Sequence, residues 1–204
     1  NKSRKIVQTH FLFDPGLQSI SKVFIAEAFY DMNQIEEANE YIFDSLHQVE
    51  EAEGWIEVYV SGYRTALGLA FENKGMVGVN ATLEVGRTLA RKRGLRRLEW
   101  FLMSREICYL TLSGRLDAAR TLVDQHRLSS TSLDQFTGAE LVWREREDFE
   151  ITLARLFIWE EKYSDAVLLL KDLCRRCEKT EHGRRLIQAL VLLGIAYHLQ
   201  GEMD

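Results

Sequence analysis

Cys174-Arg-Arg-Cys177 has the spacing of a redox pair or of half a zinc site. A redox pair wants its first cysteine at a helix N-terminus, where the thiolate is stabilised, and this pair falls inside a helical stretch. No second cysteine pair or histidine cluster completes a zinc site. With Cys108 the chain has three cysteines, an odd number, and no secretion signal, so they read as packed or surface thiols of a cytoplasmic protein. His10, His47, His126, His182 and His198 are scattered, none at a useful spacing from a serine, cysteine or carboxylate. Nucleophilic catalysis needs a nucleophile and a base held together, and nothing in the chain offers that pair. The sequence reads as a non-enzyme. Asn80-Ala-Thr82 matches a glycosylation acceptor, which has no use without secretion.

Aromatic and guanidinium side chains are the better candidates. Sugars and flat metabolites are commonly held by aromatic faces and a few placed polar groups in a concave, mostly apolar site. Trp100, Trp143 and Trp159, with Arg64, Arg105 and Arg155, all fall on one class of helix, the first of each hairpin described next. That class lines the concave side of helical-hairpin repeats. Each tryptophan taken singly reads as a gap-filler between long helices. As a group these six residues are the expected ligand-binding set, with no metal site and no cofactor.

The elements that position them repeat. Anchored on Gly201, the sequence has Leu193-Gly194 and Ala196-Tyr197 in the preceding two turns. The same small-residue and aromatic pattern precedes Asn33 (Ile25-Ala26, Ala28-Phe29), Gly75 (Leu67-Gly68, Ala70-Phe71) and Glu161 (Leu153-Ala154, Leu156-Phe157). Gly114 anchors a weaker copy, Glu106-Ile107 with Tyr109-Leu110. The anchors are separated by 42, 39, 47 and 40 residues. Five residues after an anchor stand Ala38, Asn80, Ala119 and Ala166, and three further on Tyr41, Leu83, Leu122 and Leu169. The unit is a pair of antiparallel helices joined by a left-handed residue. One such hairpin cannot bury its apolar face alone, so hairpins must stack. The expected fold is all-α, a right-handed superhelix of tetratricopeptide-like hairpins forming a single domain over residues 1–204.

One proline in the chain and many Leu, Ala, Glu and Arg favour helix nearly throughout. The net charge of −5 gives no general electrostatic case for nucleic-acid binding, and no apolar run reaches the roughly 18 residues of a membrane helix. Residues 1–12 read as the tail of a preceding unit and Asp14-Pro15-Gly16 as a turn. The first helix then runs to about Met32 with Ile20, Phe24, Ile25 and Ala28 on one face. Ser129 to Gly138 is the one loop-like break, with a flexion point at residues 127–140. The basic run Arg87, Arg91, Lys92, Arg93, Arg96 and Arg97 reads first as cations complementing a helix C-terminus, and second as a face for an anionic partner or a neighbouring domain. The acidic residues Glu36, Glu37, Glu40, Asp44, Glu50, Glu51 and Glu53 read as a solvated convex face. The chain begins at Asn1 and stops at Asp204, where the fifth unit's second helix is expected, so it reads as a piece of a longer protein.

Two resemblances follow from these residues. Leu-Gly…Ala-Tyr before a turn, with Ala in the next helix, resembles the tetratricopeptide repeat, although the repeat's closing proline is missing and the periods exceed its 34 residues. The stretch from Leu153 through Ala166 and Leu170 to Gly201, with Gly114-Arg-Leu-Asp-Ala-Ala119, resembles the helical sensor region of the large MalT-like, LuxR-type bacterial regulators. That resemblance implies an effector-sensing and oligomerisation domain that binds a small-molecule inducer or a regulatory protein on its concave face. It implies contact with neighbouring domains and self-association as well. No phosphate loop and no helix-turn-helix occur in the chain, so ATP and DNA binding would belong to other parts of such a regulator. The alternative is a tetratricopeptide-like scaffold for protein–protein interaction that senses no metabolite.

Overall fold

The computed structural model describes residues 15–51, 55–128 and 143–201. The expected N-terminal tail, the Ser129–Gly138 loop, most of the flexion point, His10, Glu53 and Asp204 lie outside them. The described residues are helical: α1 Pro15–Asp31, α2 Ile35–Glu51, α3 Ile56–Arg93, α4 Arg96–Leu112, α5 Leu116–Gln125, α6 Trp143–Trp159, α7 Tyr163–Thr180 and α8 Gly183–Gln200. No strand occurs among the described residues, and none of their helices is long and apolar enough to cross a membrane. The chain divides into two compact units between Leu102 and Met103, within α4.

All five anchors take positive φ: Asn33 59°, Gly75 55°, Gly114 71°, Glu161 61° and Gly201 78°. After three of them the next amide reaches back to close the helix end: Gln34 to the Phe29 carbonyl at 2.8 Å, Arg115 to Leu110 at 2.9 Å, Lys162 to Phe157 at 2.8 Å. This is the six-to-one bond of a Schellman closure, and it satisfies a carbonyl that the helix leaves open. The small residues five positions on, Ala38, Ala119 and Ala166, are fully buried.

The Gly75 turn differs. Its ψ of −146° is not left-handed helical, and α3 runs as two arms, residues 56–74 and 76–93, about this one residue. The arms fold back on each other, for a Cβ built on Gly86 would lie 2.8 Å from the Tyr63 ring. The changed torsion turns the second arm, so Val79 is buried and Asn80, at the expected alanine place, is exposed. In α1 the residues expected on one face, Ile20, Phe24, Ile25 and Ala28, share the outer one. Its buried face is Ser19, Val23 and Ala26, while Phe24, Ile25 and Ala28 are exposed. Small residues let α1 approach its neighbours closely, and the bulkier ones are left on the outer side. Of the expected Asp14-Pro15-Gly16 turn, Asp14 lies outside the described residues, and Pro15 opens α1, where its missing N–H has no helical partner to lose.

In unit one, the first arm of α3 packs against α1 and α2. A Cβ on Gly62 would meet the Leu46 side chain at 2.6 Å, and one on Gly68 would meet the Tyr30 hydroxyl at 2.3 Å. In unit two, α6 packs against α4, α5, α7 and α8.

Candidate functional site

Helix α6 begins Trp143-Arg-Glu-Arg-Glu-Asp148-Phe-Glu150, and the fold places four of its acids inside unit two. Glu145, Glu147, Asp148 and Glu150 are all buried. Burying a carboxylate is costly unless it is paired, and unit two surrounds these with cations. Glu150 accepts from Arg176 Nη2 at 2.7 Å and from Arg146 Nε at 3.2 Å. Asp148 faces Arg185 and, at 3.6 Å, Arg105. His182, in the turn between α7 and α8, holds Glu147 Oε1 through Nδ1 at 2.8 Å. The Cys177 thiol donates to the same oxygen at 3.8 Å. Glu147 Oε2 is buried with no hydrogen-bond partner.

Over this network lies Trp143, half exposed and stacked on His182 with ring centroids 3.8 Å apart and planes 20° from parallel. The Arg144 guanidinium stands 5.0 Å from the indole centroid, within cation–π range. The result is an aromatic face at the surface, a histidine beneath it, and a buried carboxylate oxygen free to accept. Such a set suits a flat or hydroxylated molecule carrying a hydrogen-bond donor.

Two of the six residues singled out in the sequence, Arg105 and Trp143, therefore reach this network. Arg155 and Trp159 lie further along α6. Arg155 donates to Cys108 Sγ at 3.3 Å, and Trp159 is exposed at the helix end. Arg64 and Trp100 belong to unit one. Arg64 pairs with Glu27 at 2.9 Å and lies over the Phe101 ring at 5.7 Å, while Trp100 is partly buried. Sequence reasoning missed Glu147, Asp148, Glu150 and His182. The available signal was four acids in one first helix, at places where the first arm of α3 carries Tyr59, Ser61, Gly62 and Arg64.

Unit one has a recess of its own. A cavity of about 310 Å³ is lined by Phe43, Leu46, Glu50, Tyr63, Ala81 and Val85, among others. The second arm of α3 contributes Ala81, Thr82 and Val85 to its lining. Tyr63 donates to Glu50 at 2.5 Å; burial, reinforced by that carboxylate, pushes its phenol far above the ordinary range. Arg93 fixes the end of α2, donating to the Tyr59 hydroxyl at 2.8 Å and to the Glu50 carbonyl at 2.5 Å. Arg97 pairs with Glu57 and Arg91 with Glu84, each at 3.1 Å. Three members of the basic run thus have structural partners. None of the six sequence candidates lines this cavity.

Cys174 and Cys177 are buried, and burial raises both thiols, Cys177 to about 11 with Glu147 adding to the effect. They lack the depressed acidity that redox thiols need. Among the described residues no group of His, Cys, Asp and Glu is arranged to hold a metal ion. No family model, no curated protein and no solved structure matches the chain.

Proposed function

We propose that this chain is an effector-sensing and assembly module of a bacterial LuxR-type, MalT-like regulator, built as a right-handed superhelix of tetratricopeptide-like hairpins. Its work is binding rather than catalysis, in the cytoplasm, on a small inducer or a regulatory protein. ATP and DNA would be handled by other domains of such a regulator. The observation that supports the sensing half is the Trp143–His182–Glu147 arrangement, in which a half-exposed ring stacks on the histidine that holds a buried carboxylate, whose other oxygen has no hydrogen-bond partner. A ligand donating to Glu147 would shift a population of hairpin arrangements by its preference for one of them.

The test is thermal unfolding of the chain against a panel of sugars, organic acids and nucleotides. A ligand that binds only the native state raises the midpoint by mass action. One class of compound should raise it, and Trp143→Ala should abolish the rise while Trp159→Ala leaves it. A flat panel would turn the reading to the second possibility, a protein–protein scaffold. That alternative is favoured by one observation of its own, the exposure of Ile187, Leu190, Val191, Ile195 and Leu199 on α8.

A further inference from the structure

Glu36, Glu37, Glu40, Asp44 and Glu51 of α2 are exposed, as a solvated convex face requires. Glu50, expected with them, turns inward instead. Its side chain is 15 % exposed and lines the unit-one recess beside Tyr63. A carboxylate withdrawn from water is costly unless a cation or enough donors replace that water. Tyr63 supplies one donor, to Oε1. Among the described residues, the group facing the other oxygen is the His47 ring. Its Nδ1 stands 3.8 Å from Oε2, beyond hydrogen-bond reach, on a side chain that is 71 % exposed. Arg93 addresses the Glu50 main-chain carbonyl and the Tyr59 hydroxyl. No arginine or lysine among the described residues forms an ion pair with the Glu50 carboxylate.

The rest of the lining offers hydrocarbon. Leu46, Ala66, Ala81 and Val85 are aliphatic and Phe43 adds a half-exposed ring, while Thr82 turns its hydroxyl to the Gly78 carbonyl at 3.0 Å. At about 310 Å³ the recess lies at the lower end of small-molecule sites. It has room for one ring and a short tail, and too little for a peptide or a lipid chain. A carboxylate oxygen in an apolar recess selects a cation with an apolar body and rejects an anion of the same shape. Leu46 and Glu50 lie four residues apart, about 6 Å along the helix, which matches the reach from a ring to an ammonium on a short tail.

We propose that this recess binds a small amine with an apolar body, the ammonium on Glu50 Oε2 and the body against Leu46, Ala66 and Ala81. The ammonium supplies the donor that Oε2 lacks, in a charge-assisted hydrogen bond of the stronger kind. Tyr63, held on Oε1, fixes the carboxylate for it. The site goes beyond the regulator reading and does not rest on it. It lies wholly in unit one, uses none of Trp143, His182 and Glu147, and takes a class of compound other than sugars, organic acids and nucleotides.

Amide chemical-shift titration of the whole chain with phenethylamine tests it, with hydrocinnamate and phenethyl alcohol as anionic and neutral compounds of similar shape. Phenethylamine should bind saturably and move the amides of Leu46, Glu50, Ala66 and Ala81. The other two should bind at least about tenfold more weakly. Glu50→Gln keeps an acceptor for the Tyr63 hydroxyl, so it should fold, and it should weaken the amine at least about tenfold. Ala81 is exposed, so Ala81→Leu should keep its Tm while filling the recess and abolishing binding. Trp143→Ala should leave the titration unchanged. The proposal is overturned if phenethylamine gives no saturable shifts, or if hydrocinnamate or phenethyl alcohol binds as well. It is overturned too if a folded Glu50→Gln or Ala81→Leu chain binds like the wild type, or if Trp143→Ala removes binding. The thermal panel reads the Trp143 site and this titration reads Glu50, so either can fail alone.

Discussion

The first arm of α3 and helix α6 occupy the same place in their hairpins, and both are buried over most of their length. Their chemistry is opposite. The arm packs through Tyr59, Tyr63, Leu67 and Leu69, with Gly62 and Gly68 letting neighbours within van der Waals reach. Helix α6 buries Glu145, Glu147, Asp148 and Glu150; Arg146 and Arg176 meet Glu150, Arg105 and Arg185 meet Asp148, and His182 holds one oxygen of Glu147. One backbone plan thus tolerates two kinds of core, and the two fail differently. A volume-packed helix is sensitive to added atoms, whereas a charge-paired helix is sensitive to a lost partner and to pH.

The largest effect should come from breaking the charged core. Asp148→Ala leaves Arg105 and Arg185 facing each other without their shared carboxylate, both of them mostly buried. Removing one partner of a buried pair costs about 3–5 kcal/mol. Urea unfolding should show this loss for Asp148→Ala. A loss under about 1 kcal/mol would mean that water reaches the network and that the contrast with unit one is shallow.

Added volume should act next most strongly. A Cβ on Gly86 would lie 2.8 Å from the Tyr63 ring and 2.9 Å from Leu102, and both neighbours are fully buried. Gly86→Val should cost about 1–3 kcal/mol by overpacking. The same urea titration in 1 M NaCl sharpens the comparison. The Gly86→Val penalty should hold, since packing is not screened, while exposed ion pairs lose strength.

A smaller effect comes from a half-buried pair in unit two. Glu160 accepts from Arg120 Nε at 2.7 Å and pairs with Lys162 at 3.0 Å. Burial alone would raise its carboxyl, but Arg120 and Lys162 outweigh that and hold it below the usual range. A lowered carboxylate stabilises the fold above its unfolded value, near pH 4.3, and the benefit disappears as pH falls through the folded value. Glu160→Gln should cost about 1 kcal/mol at pH 7 and make acid unfolding less steep below pH 4.3. An unchanged acid limb would assign the acid sensitivity of unit two elsewhere.

Local features were legible in the sequence and torsional or distant ones were not. The anchors could be found because a left-handed turn and its flanking small residues lie within a dozen positions of one another. Asn80 was misplaced because burial in the second arm of α3 depends on ψ at Gly75, and a glycine does not announce which positive-φ conformation it takes. The spacing in α1 shows which residues share a face but not which face its neighbours cover, and that is the side of Ser19, Val23 and Ala26. The α6 network joins Glu147 to His182 and Asp148 to Arg105, contacts that no spacing rule reaches. Arg105 and Trp143 could be picked out only as members of a class, first-helix residues with ring or guanidinium chemistry. Their carboxylate and histidine neighbours became visible when the helices were placed.

The last contrast concerns reactivity. Cys177 sits inside the charged core of unit two, and burial with Glu147 beside it pushes its thiol to about 11. A thiol raised in the folded state stabilises that state below its unfolded value, near pH 8.5, and the contribution is lost as pH rises through 11. At pH 8 the native chain should therefore hold almost no Cys177 thiolate, and Cys108 and Cys174 are buried as well. Native alkylation at pH 8 should be slow for all three and prompt for all three in urea. Fast labelling of Cys177 alone would show that solvent enters beside Glu147, and would recast α6 as an open polar channel rather than a charge-paired core.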